Sequence, residues 1–197
     1  WLGGTLTNFR TIKGGLERMR QLERMKVDVM DLIQVHNLQD VQTHLQTLAD
    51  WKQRGKIRYT GITHYTVAAY TRLTELIKTN PIDFVQFNYN LLVREAEKDL
   101  LPLAMEKGVG VIINRPFEEG KLFNLVKGKK IPGWAAEYEI QSWGQFFLTY
   151  IISHPAVTCV IPATSNAAHL RDNMKAAYGR SPDEKFRKKM VDFIQQL

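Results

Sequence analysis

The sequence has one cysteine, Cys159, so no internal disulfide holds it and nothing points to a secreted, stapled fold. No apolar run approaches the roughly 20 residues that a membrane span needs. The chain opens on Trp1 with no charged-then-apolar leader, so no signal peptide is expected and a reducing, cytoplasmic setting is the working assumption. Glycine (13) and proline (7) are too few for collagen-like or low-complexity chains. No G-x-G-x-x-G follows an apolar run, and no nucleophile-elbow sequence is present. The histidines at 36, 44, 64, 154 and 169 show no close ligand pair, so no metal site is expected. Cys159, set inside an apolar run, reads as core packing.

What is present suffices for a sizeable core: 44% hydrophobic residues in 197, with 24% charged. Of the net charge of +7, residues 1–26 hold +4, carried by Arg10, Lys13, Arg18, Arg20, Arg24 and Lys26 against Glu17 and Glu23. A basic excess of this kind meets an anionic partner or is a solvated helix face. From Val27 onward, short apolar runs alternate with polar helical segments. The runs are 28–36, 57–63, 83–88, 109–115 and 157–162, most of them apolar at consecutive positions, as strands buried on both faces are. Helical spacing marks 41–53, 66–79, 94–107 and 141–153. A helix capped by Ser165 or Asn166 is expected to run to Ala177, and Ser181-Pro182-Asp183-Glu184 reads as a further helix start. The stretch 116–140 reads as one long irregular loop, a feature more often functional than idle. Five β/α units in series predict an α/β fold, either a doubly wound sheet or part of a (β/α)-barrel.

Polar residues gather at the carboxyl end of each run: His36 and Asn37, Thr63 and His64, Asn88 and Asn90, Asn114 and Arg115, and Thr164, Ser165 and Asn166. Parallel α/β folds place these ends on one face, where ligands bind. Each residue alone is ordinary loop chemistry; together they predict a binding face.

The segments VDVMDLIQVHN, GKIRYTGITHY, FVQFNYNLL, EKGVGVIINRPFEEGKLF and VIPATSNAAHLRDNM, in this order, resemble the aldo-keto reductases from about Met25 to the C-terminus. That resemblance implies strands four to eight of a (β/α)8-barrel, or an open parallel sheet derived from them. It implies NADP(H) as cofactor, with NAD(H) left open, and a small carbonyl compound as substrate. His36 takes the place of the catalytic histidine that orients the carbonyl. Thr63, His64 and Gln86 fall where the nicotinamide carboxamide is held, although the family usually has Ser-Asn where Thr63-His64 stand. Asn114 occupies the place of a stacking Tyr. Arg115, Pro116 and Phe117 through Lys121 resemble the loop over the pyrophosphate. Thr164, Ser165, Asn166, His169, Asp172 and Asn173 match the segment that grips the adenosine end. Ala163 and His169 stand where the family often has a Lys and an Arg for the 2′-phosphate, which puts selectivity for NADP over NAD in doubt. The family's proton-donating Tyr, with its Lys and Asp, comes from the first three β/α units, and no Tyr of this sequence matches that motif. The resemblance therefore implies at most nucleotide binding by these 197 residues alone.

Residues 1–26 resemble the small-subunit ribosomal protein S-two family through WLGGTLTN and the basic helix that follows, expected at 11–25. The chain thus reads as a chimera joined inside a helix, with 27–197 as the barrel part. RNA is implied by that segment but is not the partner expected, since one helix lifted from a larger protein seldom keeps its target. Alternatives are a scaffold without activity or a ribosome-associated protein. Five strands cannot close like eight, so the open edges predict self-association, cover by residues 1–12 or by the C-terminal helix, or relaxation into an open sheet.

Overall fold

The computed structural model describes the backbone of residues 3–6 and the whole of 26–197. The elements follow in the order β1 (Gly3–Leu6), β2 (Met30–His36), α1 (Val41–Gln53), β3 (Ile57–Thr63), α2 (Tyr70–Thr79), β4 (Phe84–Asn88), α3 (Leu100–Glu106), β5 (Gly110–Asn114), α4 (Lys121–Leu125), α5 (Trp143–Ile152), β6 (Cys159–Val160), α6 (Ala167–Lys175) and α7 (Glu184–Gln195). One sheet runs β1-β2-β3-β4-β5-β6, parallel throughout. Strand order equal to chain order is that of a barrel segment. A doubly wound sheet reverses direction at a switch point, and none occurs here.

The five expected strands are present, and a sixth joins them. Gly3–Leu6 pairs in parallel with Leu32–Val35, covering the edge of β2. Of the expected ways to manage the open edge, cover by the N-terminal residues is therefore the one adopted there. The helix expected at 11–25 lies outside the described residues. Several segments are shorter than their sequence patterns. The last strand contracts to Cys159–Val160, and both 66–79 and 94–107 open with a 3₁₀ turn before the α-helix begins. The stretch 116–140 is not one irregular loop: it holds α4 and a 3₁₀ turn at Gly133–Tyr138. Leu122 and Ala135 are fully buried and tie both pieces to the core.

Alternation along the strands divides the sheet into two faces. Ile33, Val35, Ile62, Val85, Phe87, Val111 and Ile113 enter the main core with Leu48 of α1, Leu73 and Leu76 of α2, Leu100 of α3 and Phe146 of α5. The opposite face carries Leu32, Gln34, His36, Tyr59, Gly61, Thr63, Phe84, Gln86, Gly110, Ile112 and Asn114. On this second face Leu32, Gln34, Thr63 and Ile112 are buried, while Tyr59 is 46% exposed.

A buried polar knot fastens the helices to the carboxyl end of β4. Tyr89 and Tyr150 hydroxyls both donate to Glu97, and the Arg187 guanidinium of α7 donates to the Tyr89 hydroxyl (2.7 Å), Ser153 Oγ (3.1 Å) and the Tyr150 carbonyl. The guanidinium also lies 4.3 Å from the Tyr150 ring centroid. Burial pushes the Tyr150 hydroxyl up to about 12, so it remains a proton donor at all ordinary pH.

The second face owes its shape to two glycines in register with Gln34 and Phe84. A Cβ on Gly61 would sit 2.8 Å from the Phe84 carbonyl, and one on Gly110 would sit 2.5 Å from the Phe84 ring. Gly110→Ala should therefore cost about 1–3 kcal/mol of stability by overpacking. Urea unfolding of the double variant with Phe84→Ala should show coupling, with most of the loss at Gly110 relieved once the ring is gone.

Candidate functional site

Parallel register places the expected residues with little freedom. His36 pairs with Thr63, Thr63 with Gln86, Gln86 with Ile112 and Ile112 with Cys159, in one row across five strands. Residues in register on a parallel sheet share a face, so His36, Thr63 and Gln86 project together from three neighbouring strand ends. One row further out, Asn88 pairs with Asn114. Thr63 and Asn88 are buried, while His36, Gln86 and Asn114 are half-buried at the rim.

His64 continues beyond β3, its backbone N–H donating to the Gln86 carbonyl at 3.0 Å. Burial first, and the field of His36 second, hold its imidazole below the ordinary histidine range. The two imidazoles are thus electrostatic neighbours at one end of the row. Asn88 is fixed from behind by the Tyr70 hydroxyl, which donates to its carbonyl and to its side-chain oxygen. Burial, with the fields of Glu95 and Glu118, raises the Tyr70 pKa.

The segment after β5 is stiff. Arg115, Glu118 and Glu119 all take left-handed backbone angles, with φ of 49°, 46° and 54°. Such angles are costly for residues with a Cβ and persist only where neighbours impose them. Arg115 pairs with Glu118 and Glu119, each at 3.1 Å, and its guanidinium lies 5.5 Å from the Tyr65 ring centroid. Fully buried Asn90 holds the base of this turn. Its Nδ2 donates to the Arg115 carbonyl and to Glu118 Oε2, both at 3.1 Å, while its Oδ1 accepts from the Leu92 and Val93 amides. Pro116 is buried, and Phe117 packs against Phe123 and Phe147, so both anchor the turn to the core. Lys121 starts α4, its side chain exposed and 3.9 Å from Glu118.

The last group lies apart. Along the sheet, β6 is four strand spacings from β2, about 19 Å. Thr164, Ser165 and Asn166 are exposed between β6 and α6. Asn166 caps α6 by accepting from the Ala168 and His169 amides. His169 is exposed on the first turn. Asp172 accepts from Ser142 and from Gln145 Nε2 (2.6 Å), and buried Asn173 faces Gly144, so these two fasten α6 to α5.

Three buried side-chain atoms among the described residues have no hydrogen-bond partner: His36 Nδ1, Asn114 Oδ1 and Arg115 Nε. All three lie at the carboxyl ends of strands. A buried polar atom left unpaired costs about 1–3 kcal/mol, and a run of them along one rim is what a polar ligand satisfies. Among the described residues, no three His, Cys, Asp or Glu side chains could hold a metal ion. No helix of the described residues is long and apolar enough to cross a membrane. The sequence pattern picked out Asn90 with the other polar strand ends and Glu118 within the 115–121 loop, but not their supporting contacts, and it missed Tyr65. Their signal is local: Asn90 closes an Asx-type turn, and Arg115 at i with Glu118 at i+3 forms an ion pair.

Asn90→Asp should replace two donated hydrogen bonds with a carboxylate against Glu118. The expected loss at pH 7 is roughly 2–4 kcal/mol. It should shrink toward pH 5, as one of two facing carboxyls takes up a proton. Urea titrations at both pH values measure it.

Against known proteins, the Aldo/keto reductase family model matches residues 17–189, starting inside the basic segment and ahead of the boundary expected near Met25. An uncharacterized oxidoreductase of Schizosaccharomyces pombe is 29% identical over 175 residues, covering 87% of this chain and 55% of that protein. The chain thus spans about half the length of that relative. The solved aldo/keto reductase of Klebsiella pneumoniae, in complex with NADP and acetate, superposes with a TM-score of 0.80 at 18% identity, covering 98% of this chain and 69% of that one. A second and short likeness, 82% identical over 28 residues, is to the small ribosomal subunit protein uS2 of Sorangium cellulosum, covering 14% of this chain and 10% of that protein. With the family model spanning most of its length, the chain belongs to the aldo/keto reductase family.

Proposed function

We propose that this chain forms the nucleotide-binding part of an NADP(H)-dependent carbonyl reductase. The observation that carries the reading is the row of unpartnered buried atoms, His36 Nδ1, Asn114 Oδ1 and Arg115 Nε, along the rim where strands β2 and β5 end. The family membership and the NADP bound to the Klebsiella relative support the choice of ligand. A nicotinamide nucleotide supplies a hydride donor when bound, and the residues around it do the remaining work. Thr63, His64 and Gln86 hold the carboxamide end, with Asn114 beside them at the rim. The Arg115–Lys121 turn covers the pyrophosphate, with the unpartnered Arg115 Nε as donor and the exposed Lys121 at its end. The segment Thr164, Ser165, Asn166 and His169 receives the adenosine end, with Asp172 and Asn173 fixing it against α5. His36 orients the carbonyl oxygen of a small aldehyde or ketone.

A second reading, NAD(H) in place of NADP(H), is favoured by Ala163 and His169, which bring no fixed positive charge to a 2′-phosphate. General acid catalysis contributes about 10²–10⁴-fold in typical enzymes. The proton donor in this family comes from the first three β/α units, which the 197 residues do not include, so turnover requires that those units be supplied. The exposed Tyr59 supports self-association, as do the exposed Leu170 and Met174, one turn apart on α6, and Tyr178 just beyond that helix. The uS2-like segment gives a chimeric character to the N-terminal residues, and RNA is not proposed as a partner.

Titration with NADPH should quench protein fluorescence and saturate, while NADPH oxidation with a generic aldehyde stays at the buffer rate. Saturable binding without oxidation supports the reading; absence of binding to either reduced dinucleotide overturns it and leaves an inactive scaffold. In light scattering, the purified chain should be larger than a monomer. Leu170→Glu with Met174→Glu should shift it toward monomer if α6 forms the contact.

A further inference from the structure

His64 is the residue at which the site departs from the family's Ser-Asn pattern, and its surroundings fix how it can be used. Its Nδ1 accepts from the Tyr65 amide at 3.0 Å and the Thr66 amide at 3.2 Å, with Thr66 Oγ1 also 3.2 Å away. An amide N–H only donates. Nδ1 must therefore present its lone pair, and the single proton of the neutral ring sits on Nε2. A second proton would point an Nδ1–H at two amide N–H groups. The remaining surroundings act in the same sense. The ring is partly buried, the field of His36 acts on it, and the Tyr65 ring lies nearly parallel to it at 5.5 Å. The Gln86 carbonyl is taken by the His64 backbone N–H. No described residue accepts from Nε2.

We propose that His64 is a donor-only reader of the nicotinamide carboxamide: its Nε2–H takes the carbonyl oxygen and offers nothing to the amide nitrogen. This rests on the cofactor reading above. A side-chain amide at the same place would both donate to the oxygen and accept from the nitrogen. The locked imidazole does only the first, so His64 itself recognises a carbonyl and not a whole amide. Dinucleotides with a methyl ketone in place of the carboxamide therefore lose nothing at this position.

Two independent measurements test this on the 197-residue chain. In ¹⁵N-resolved NMR of the imidazoles without ligand, His64 should show the Nε2–H tautomer and should take up its second proton only below the ordinary histidine range, with His64→Asn assigning the signals. An Nδ1–H tautomer, or titration at the ordinary histidine pKa, overturns the lock. In calorimetry, NADP and its 3-acetylpyridine analogue should lose affinity by the same factor on His64→Ala, whatever difference Thr63 and Gln86 set between them in the unaltered chain. His64→Ala should weaken both by about fivefold to tenfold, the loss of one hydrogen bond, and leave 2′-phospho-ADP-ribose, which has no nicotinamide, unchanged. His64→Asn should restore NADP more than the analogue. If 2′-phospho-ADP-ribose and NADP bind but His64→Ala changes neither, the assignment of His64 is wrong and the cofactor reading stands. If no dinucleotide binds, both fall, whatever the tautomer.

Discussion

The parallel register of the sheet is the constraint on which the site depends. His36, Thr63 and Gln86 lie far apart in sequence and come together because each occupies the same rung of three adjacent strands. With a side-chain period of two, a slip of one residue in any pair would turn that strand's polar end into the apolar core and its apolar side outward. The cost of such a slip is set by the other face. Val35, Ile62, Val85 and Val111 are fully buried against the helices, and exposing even one such side chain costs about 1.5–3 kcal/mol. The apolar face thus positions the polar one without touching any ligand. Gly61 and Gly110 serve the same register from the second face, since no larger residue fits beneath Gln34 and Phe84.

Beyond the strand ends, where register no longer acts, hydrogen bonds within the rim take over the positioning. Asn90 uses both donors and its acceptor to join the turn after β4 to the turn after β5. The left-handed residues Arg115, Glu118 and Glu119 are paid for by that contact and by the ion pairs they form. His64 is fixed by the two amides that follow it. In each case the backbone next to a rim residue determines what that residue offers to solvent: Arg115 is aimed, and His64 is a donor.

Most of this was legible in the sequence where burial leaves a regular pattern. The five apolar runs gave their strands because both faces of each are covered for much of its length, and the polar strand ends stood out against them. Legibility failed in three physical situations. Gly3–Leu6 carries no apolar run, and its strand is recruited by the open edge of β2, a tertiary demand that local sequence does not express. The stretch 116–140 looked irregular because its glycines outweigh short apolar pieces, yet Leu122 and Ala135 are buried and impose turns of helix around them. The contacts of Asn90 with Glu118 and of Tyr70 with Asn88 cross between strands, and a partner distant in sequence leaves no spacing to read. Asp172 and Asn173 illustrate the reverse. The family pattern marks them for the adenosine end, while their visible contacts are to α5, so a residue can satisfy a motif by holding a helix that carries the site.

The unpartnered atoms at the rim make the folded state and the ligand parts of one equilibrium. An unpaired buried polar atom is tolerated in a marginally stable domain only where little choice exists. The register fixes His36 and Asn114 at the ends of their strands, and the left-handed turn fixes Arg115. A ligand that pairs them removes a cost the fold already carries, and its binding energy then appears as stability of the chain. A scaffold that merely happened to have polar strand ends would leave those groups solvated, as Thr164 and Ser165 are. The difference between the solvated group near β6 and the desolvated group along β2 to β5 therefore marks which end of the rim is preorganised. At that end the strand register itself, more than any single side chain, determines the geometry a ligand meets.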